Sequence, residues 1–222
     1  MSKLNIVMRN ATPQSDSADV RLPGRRERNR QDKLERIASS ARRLFDQFGY
    51  EAVTTQQIAD DADVAVGTLF LYARTKPELL LMVHNEIFRS ALDAGLRHVR
   101  EGPVRRSAEA IITMVDPIIE AAARQPENTV AYQRELLFGS AQERYRSEGI
   151  AIVLALEAAV AQLLANDPAE VAATAAARSI FGALHLTISQ GAAGAHGAAP
   201  DRDLLAVQVE QIVAGYDAAG RL

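Results

Sequence analysis

Cysteine and tryptophan are both missing from the 222 residues. No disulfide or thiolate metal site is therefore available, and a reducing cytoplasm is permitted. Histidine is scarce and scattered, at 84, 98, 185 and 196, never at a paired ligand spacing. There is also no Gly-rich phosphate loop. No metal, cofactor or catalytic residue is assigned, and the chain is not read as an enzyme. No apolar run reaches the roughly 20 residues of a membrane span; the nearest, Ile150 to Ala165, is broken by Glu157 and Gln162. Residues 1–24 lack a long apolar run and contain Pro13, Pro23 and Gly24, so they read as a disordered lead-in rather than a secretory signal. Strand-like alternation and internal repeats are absent as well, which leaves an all-α chain.

What is present is a core and a lopsided charge. Hydrophobic residues make up 48% of the chain, enough for a substantial interior. Residues 20–43 carry nine Lys/Arg against three Asp/Glu, a local +6 inside a net charge of −3, which leaves −9 for the rest. A basic segment on an acidic protein points to a polyanion at that end, with a solvated charged helix as the plain alternative.

The stretch Thr54 to Leu80 gives that segment a context. Thr54 and Gln57 have capping-box spacing, so a helix starts at Thr55 and stops near Ala62. Asp63 suits a turn because Asp tolerates positive φ, and Val64 follows as a core plug. A second short helix is expected over Val66–Tyr72, with Leu69 inward. Thr75 and Glu78 form another capping box, with Pro77 in a first turn that needs no amide there. A long helix then runs from Lys76 to about Val99, with Leu79, Leu80, Val83, Ile87, Leu92 and Leu96 inward. Ahead of these, a helix from about Asn29 to Phe48 places Leu34, Ile37, Ala41, Leu44, Phe45 and Phe48 at helical spacing, and Gly49 ends it. This is the spacing of a helix-turn-helix, which presents one helix to a DNA major groove; such units also occur as ordinary helical hairpins.

The ordered pattern R-I-x-x-x-A-x-x-L-F-x-x-x-G-Y from Arg36 to Tyr50, then Thr54-Thr55, Ile58-Ala59, Gly67-Thr68-Leu69-Phe70-x-Tyr72 and Lys76-x-x-Leu79, resembles the DNA-binding domain of TetR-family transcriptional regulators. The resemblance covers about residues 30–82. It implies an all-helical homodimer with an N-terminal three-helix DNA-binding domain and a C-terminal helical domain for effector binding and dimerisation. The expected division is a tail at 1–24, a DNA-binding domain at 25–76 and an effector domain at 77–222. It further implies a cytoplasmic regulator, usually a repressor, that leaves its operator when a small molecule binds. Three positions depart from the family pattern: Phe70 replaces a phosphate-contacting Tyr, Ala73 replaces a Phe, and Ala65 replaces a capping Ser or Thr. A helical ligand-binding or scaffold protein with a vestigial DNA-binding unit is the alternative these departures raise.

Groove chemistry divides the work on that resemblance. Gly67 lets the backbone approach DNA, while Val66, Thr68 and Leu71 reach thymine methyls and Thr68 can hydrogen-bond a base edge. Thr55, Tyr72 and Lys76 suit phosphates. Arg25, Arg26, Arg28 and Arg30, just before the first helix, read as a basic arm.

The second half reads as helices over 104–124, 128–139, 141–165, 168–190 and 202–219, divided by Gly102-Pro103, Gln125-Pro126, Asn166-Asp167-Pro168 and the loop Gly191 to Pro200. The family places its effector pocket here, and the candidates are Met114, Tyr132, Phe138, Tyr145, Phe181 and His185. The effector is expected to be mainly apolar. The stripe Leu205, Val209, Ile212 and Tyr216, with Phe181, Leu184 and Ile188 on the preceding helix, is a candidate dimer interface of four-helix type. The same stripes serve equally well as each chain's own core.

Overall fold

The computed structural model describes residues 24–103, 107–140, 143–165, 170–193 and 200–219. The lead-in expected at 1–24 lies outside them except for Gly24. Helix α1 (Arg25–Phe48) begins ahead of the expected Asn29, so the four arginines lie on its first turns and not on an arm before it. Arg and Glu are good helix formers, and the Arg28 amide closes the first turn on the Gly24 carbonyl at 3.0 Å. Ile37, Ala41 and Phe45 bury one face of α1. Phe48, expected in the core, is 56% exposed. It continues the Ile37–Ala41–Phe45 stripe into the last turn, at the very end of the helix, before Gly49 caps it at φ 79°.

Helix α2 (Thr55–Asp61) starts on the capping box. The Gln57 amide donates to Thr54 Oγ1 at 3.2 Å, and the Thr54 amide donates to Gln57 Oε1 at 2.8 Å. Asp63 turns the chain at φ 51°. Helix α3 (Val66–Leu69) is shorter than expected. Ala65 offers no side-chain cap, and beyond Leu69 the amides of Leu71 and Tyr72 bond three residues back, to Thr68 and Leu69. This tightens the end into turns. Helix α4 (Lys76–Glu101) starts on Thr75, whose hydroxyl accepts from the Glu78 amide at 3.2 Å. Only half of the expected box forms, because the Glu78 carboxylate accepts from the Arg74 amide instead of that of Thr75.

The remaining helices are α5 (Ser107–Arg124), α6 (Pro126–Phe138), α7 (Arg144–Leu164), α8 (Val171–Ala193) and α9 (Arg202–Ala219). Proline and glycine punctuation located each within a few residues. No strand occurs among the described residues, and the architecture is all-α, with α1–α3 at one end and α4 running from that unit into the bundle. Leu79, Leu80 and Leu81 of α4 are fully buried near its start, and Ala91 and Leu92 are buried further along. Gly95 brings α4 onto α5: a Cβ there would stand 1.9 Å from the Met114 carbonyl oxygen.

Helices α7 and α8 have the length and mean hydropathy, 1.7 and 1.3, that a membrane span would show, although neither contains a long uninterrupted apolar run. Both pack in the bundle, α7 against α4 and α8, and α8 against α7 and α9. Arg144, Arg146 and Glu148 lie in the first turns of α7. Alanine raises the hydropathy of both helices and also permits close helix packing.

One side chain ties the two ends together. Asn128, buried in the first turn of α6, accepts the Tyr50 amide at 2.7 Å and donates to the Phe45 carbonyl at 2.9 Å. Beside it, Gln125 donates to the Asp46 carbonyl at 2.9 Å.

Candidate nucleic-acid interface and enclosed cavity

The outer side of α3 carries the groove-facing candidates. Gly67 is exposed, a Cβ on it would meet nothing within 4 Å, and Leu71 is 83% exposed. Thr68 is half-buried, and Val66 packs partly into the core behind it. Leu69 is fully buried and anchors the turn, and Ala73 is only 1% exposed despite its small size. Phe70 is 40% exposed.

The positions expected to meet phosphate differ in how far they are already engaged. Thr55 is half-exposed at the start of α2. The Tyr72 hydroxyl donates to the Arg30 carbonyl at 3.3 Å, tying the turn after α3 to α1. Lys76 Nζ donates to the Glu51 carbonyl at 3.1 Å and stands 4.5 Å from the centre of the Tyr50 ring. Partial burial lowers its pKa below the ordinary lysine value, against an opposing pull from Glu51. One of the three Lys76 ammonium hydrogens is thus already engaged inside the chain.

The basic run also divides. Arg36 donates to the Asp63 carbonyl at 2.9 Å, and Arg43 pairs with Asp61, so these two hold α2 and its turn against α1. Arg42 lies 3.9 Å from Asp46. Arg25 and Arg26 are exposed, with no ion pair among the described residues. Arg28, Arg30 and Lys33 are exposed on the same helix. Part of the local +6 is therefore structural, and the start of α1 exposes Arg25 and Arg26.

Behind this unit the bundle holds an apolar cavity of about 60 Å³. It is lined from α4 (Phe88, Leu92), α6 (Tyr132, Gln133, Leu136), α7 (Val153, Leu156) and α8 (Phe181, His185), among others. Of the expected effector residues, Tyr132, Phe181 and His185 come together there. Met114 is fully buried at the α4–α5 contact, Tyr145 is buried near the start of α7, and Phe138 is 82% exposed at the end of α6; none of the three lines the cavity. Gln133 and Phe88 line it and escaped the sequence reading. A single glutamine within an amphipathic helix carries no signal of its own.

Several of the cavity's polar groups are paired. The Tyr132 hydroxyl donates to Asn85 Oδ1 at 3.0 Å, and Asn85 Nδ2 donates to the Tyr145 carbonyl at 2.7 Å. Burial raises the Tyr132 pKa and pushes that of His84, which stacks on the Tyr132 ring, down to about 4. Gln133 joins α6 to α8 through His185 and through Ser189, whose Oγ lies 2.7 Å from Gln133 Oε1.

The candidate dimer stripe is taken up largely inside one chain. Leu205 and Val209 are fully buried, Leu184 and Ile188 are 2% and 8% exposed, and Phe181, Ile212 and Tyr216 are half-buried. The large apolar side chains that α8 and α9 leave outside, among the described residues, are Val171 (84%), Leu186 (57%), Leu204 (47%) and Val207 (48%). A stripe at helical spacing has no preference between its own core and a second copy, and here the core takes it.

Three comparisons bear on this arrangement. The model for bacterial regulatory proteins of the tetR family matches residues 37–83. The HTH-type transcriptional repressor KstR of Rhodococcus jostii is 32% identical over 110 residues, half of this chain and half of that protein. KstR of Mycobacterium tuberculosis is 32% identical over 147 residues, 63% of this chain and 62% of that protein. The chain thus spans about half the length of the first relative and under two thirds of the second. The solved structure of FadR from Thermus thermophilus, a TetR-family repressor in complex with lauroyl-CoA, superposes with a TM-score of 0.61 at 23% identity, over 82% of this chain and 92% of that one. This last likeness is one of fold.

Proposed function

We propose, from the premise that the chain belongs to the tetR family of bacterial regulatory proteins, that it is a cytoplasmic, non-catalytic transcriptional repressor. It binds a palindromic operator as a homodimer and is released by a small, mainly apolar effector. The observation that carries this reading is the outer surface of α3 and the turn after it, with Gly67 and Leu71 exposed and Thr68 half-buried, set beside the exposed arginines of α1 and backed by an apolar cavity. Thr68 and Leu71 offer a hydroxyl and methyls to base edges. Arg25, Arg26, Arg28, Thr55, Tyr72 and Lys76 supply backbone contacts that set register. A two-fold dimer would place its two α3 segments about 34–36 Å apart, one turn of DNA.

Tyr132, Phe181 and His185 form the effector-binding set, with Gln133 and Phe88 added. The acyl chain in the FadR complex belongs to that protein; here it supports an apolar chain or ring as the part of an effector that enters. Such a ligand needs roughly 300–1,000 Å³ in a typical site. The present 60 Å³ is smaller than that, so a ligand of this size needs the lining helices to part. Opening it displaces α6, and Asn128 at the start of α6 passes that displacement to α1. Dimerisation runs through the outer faces of α8 and α9, where Leu186, Leu204 and Val207 are exposed.

An electrophoretic mobility shift with effector-free protein and the DNA upstream of its own gene tests the reading. Binding that weakens steeply with salt is expected. Failure to shift any upstream fragment at low salt would sink it and leave the scaffold alternative standing.

A further inference from the structure

Among the residues that line the cavity, His185 has a ring nitrogen with no partner among the described residues, and a chain of hydrogen bonds decides which nitrogen carries the proton. Gln133 Nε2 lies 3.2 Å from the His185 carbonyl oxygen, so that atom is the donor end of the amide. The same nitrogen lies 3.1 Å from His185 Nδ1. Nδ1 therefore accepts, and the imidazole proton sits on Nε2. Ser189 Oγ, which has one hydrogen to give, lies 2.7 Å from Gln133 Oε1 and 2.6 Å from the His185 carbonyl oxygen, against the oxygen end of the amide. Burial lowers the His185 pKa, which keeps the ring neutral. The Tyr132 hydroxyl is already given to Asn85. Among the described residues no partner meets His185 Nε2, and the other lining residues carry no charged group. A carboxylate or ammonium would enter this lining without a counter-charge, which is costly.

We propose that the cavity's ligand is uncharged, with an apolar body and one oxygen acceptor, and that His185 Nε2–H donates to that oxygen while Gln133 fixes the donating tautomer. This rests on the cavity being the effector site and adds the chemical class of the effector. Because Gln133 sits on α6 and His185 on α8, an oxygen taken up here draws on the contact that joins those two helices.

Three isosteric or near-isosteric probes test the proposal: acetophenone, isopropylbenzene and benzoate, titrated by ligand-observed NMR. Full-length wild-type protein should favour acetophenone over isopropylbenzene by about tenfold, a typical value for one buried hydrogen bond, and bind benzoate more weakly than either. His185→Leu should abolish the preference while leaving isopropylbenzene binding intact. His185→Gln, which restores a side-chain N–H, should recover part of it. Gln133→Leu should reduce it, because the ring is then free to place its proton on either nitrogen. Equal binding of acetophenone and isopropylbenzene, an undiminished preference in His185→Leu, or benzoate as the tightest ligand would each overturn the proposal, while binding of isopropylbenzene keeps the cavity reading intact. Binding of none of the three would remove the cavity as an effector site and the proposal with it.

Discussion

Single side chains decide what the helix-turn-helix unit can do. Thr68→Ala should change the ranking among operator variants in a mobility-shift series, because a hydroxyl at a base edge reads sequence. Equal loss on every site would place Thr68 on phosphate instead. Lys76→Ala should weaken all sequences alike and lower the slope of log affinity against log salt by about one. An unchanged slope with a lower Tm would assign Lys76 wholly to its Glu51–Tyr50 contact. Thr54→Ala should cost about 1 kcal/mol in urea denaturation through loss of the cap. These positions were legible because capping and turn chemistry are local: Thr54, Asp63 and Gly49 can be read without knowing what packs on them. The free energy of Lys76, the exposure of Phe48 and the pairing of Gln133 depend on neighbours far away in the chain, so spacing does not encode them.

At the scale of elements, close packing rests on a few small or polar residues. A Cβ on Gly149 would stand 2.7 Å from Leu136 Cδ1 and 2.8 Å from Asn85 Oδ1. Alanine there gains about 1 kcal/mol of helix propensity. It also forces α7 off the Asn85–Tyr132 pair, and overpacking of this kind costs about 1–3 kcal/mol. A net loss of stability is expected in thermal denaturation, and a gain would show that α7 yields without strain. Helix positions in the second half were readable from Pro126, Pro103 and the alanine-rich stretches. Their partners were not, since the stripe Leu205–Val209 is equally suited to its own core and to another chain.

For the whole molecule, pH and association are the informative variables. His84 has its folded pKa pushed down to about 4, below the ordinary histidine value of about 6.5. The unfolded chain takes up that proton first as pH falls. The associated stability is therefore fully present above about pH 6.5 and is lost progressively down to about pH 4, by roughly 3 kcal/mol. Urea midpoints across that range should fall with acid, and the slope should flatten in His84→Phe. The proposed dimer makes a separate prediction: Leu186→Glu combined with Val207→Glu should convert a sedimenting dimer to monomer with helicity retained. A monomeric wild type would move operator recognition to another assembly.

Helix α4 spans both halves of the protein: Leu79, Leu80 and Leu81 bury near the α1–α3 unit, and Phe88 and Leu92 line the cavity. No cut ahead of it leaves either half whole. A recombinant exchange of recognition specificity that joins two relatives at residue 75 would strand the helical unit without its closing wall. A splice beyond Val83, carrying the graft's own copy of that wall and a matched residue for Asn128, is the junction at which parts from two such proteins should behave as one cooperative body.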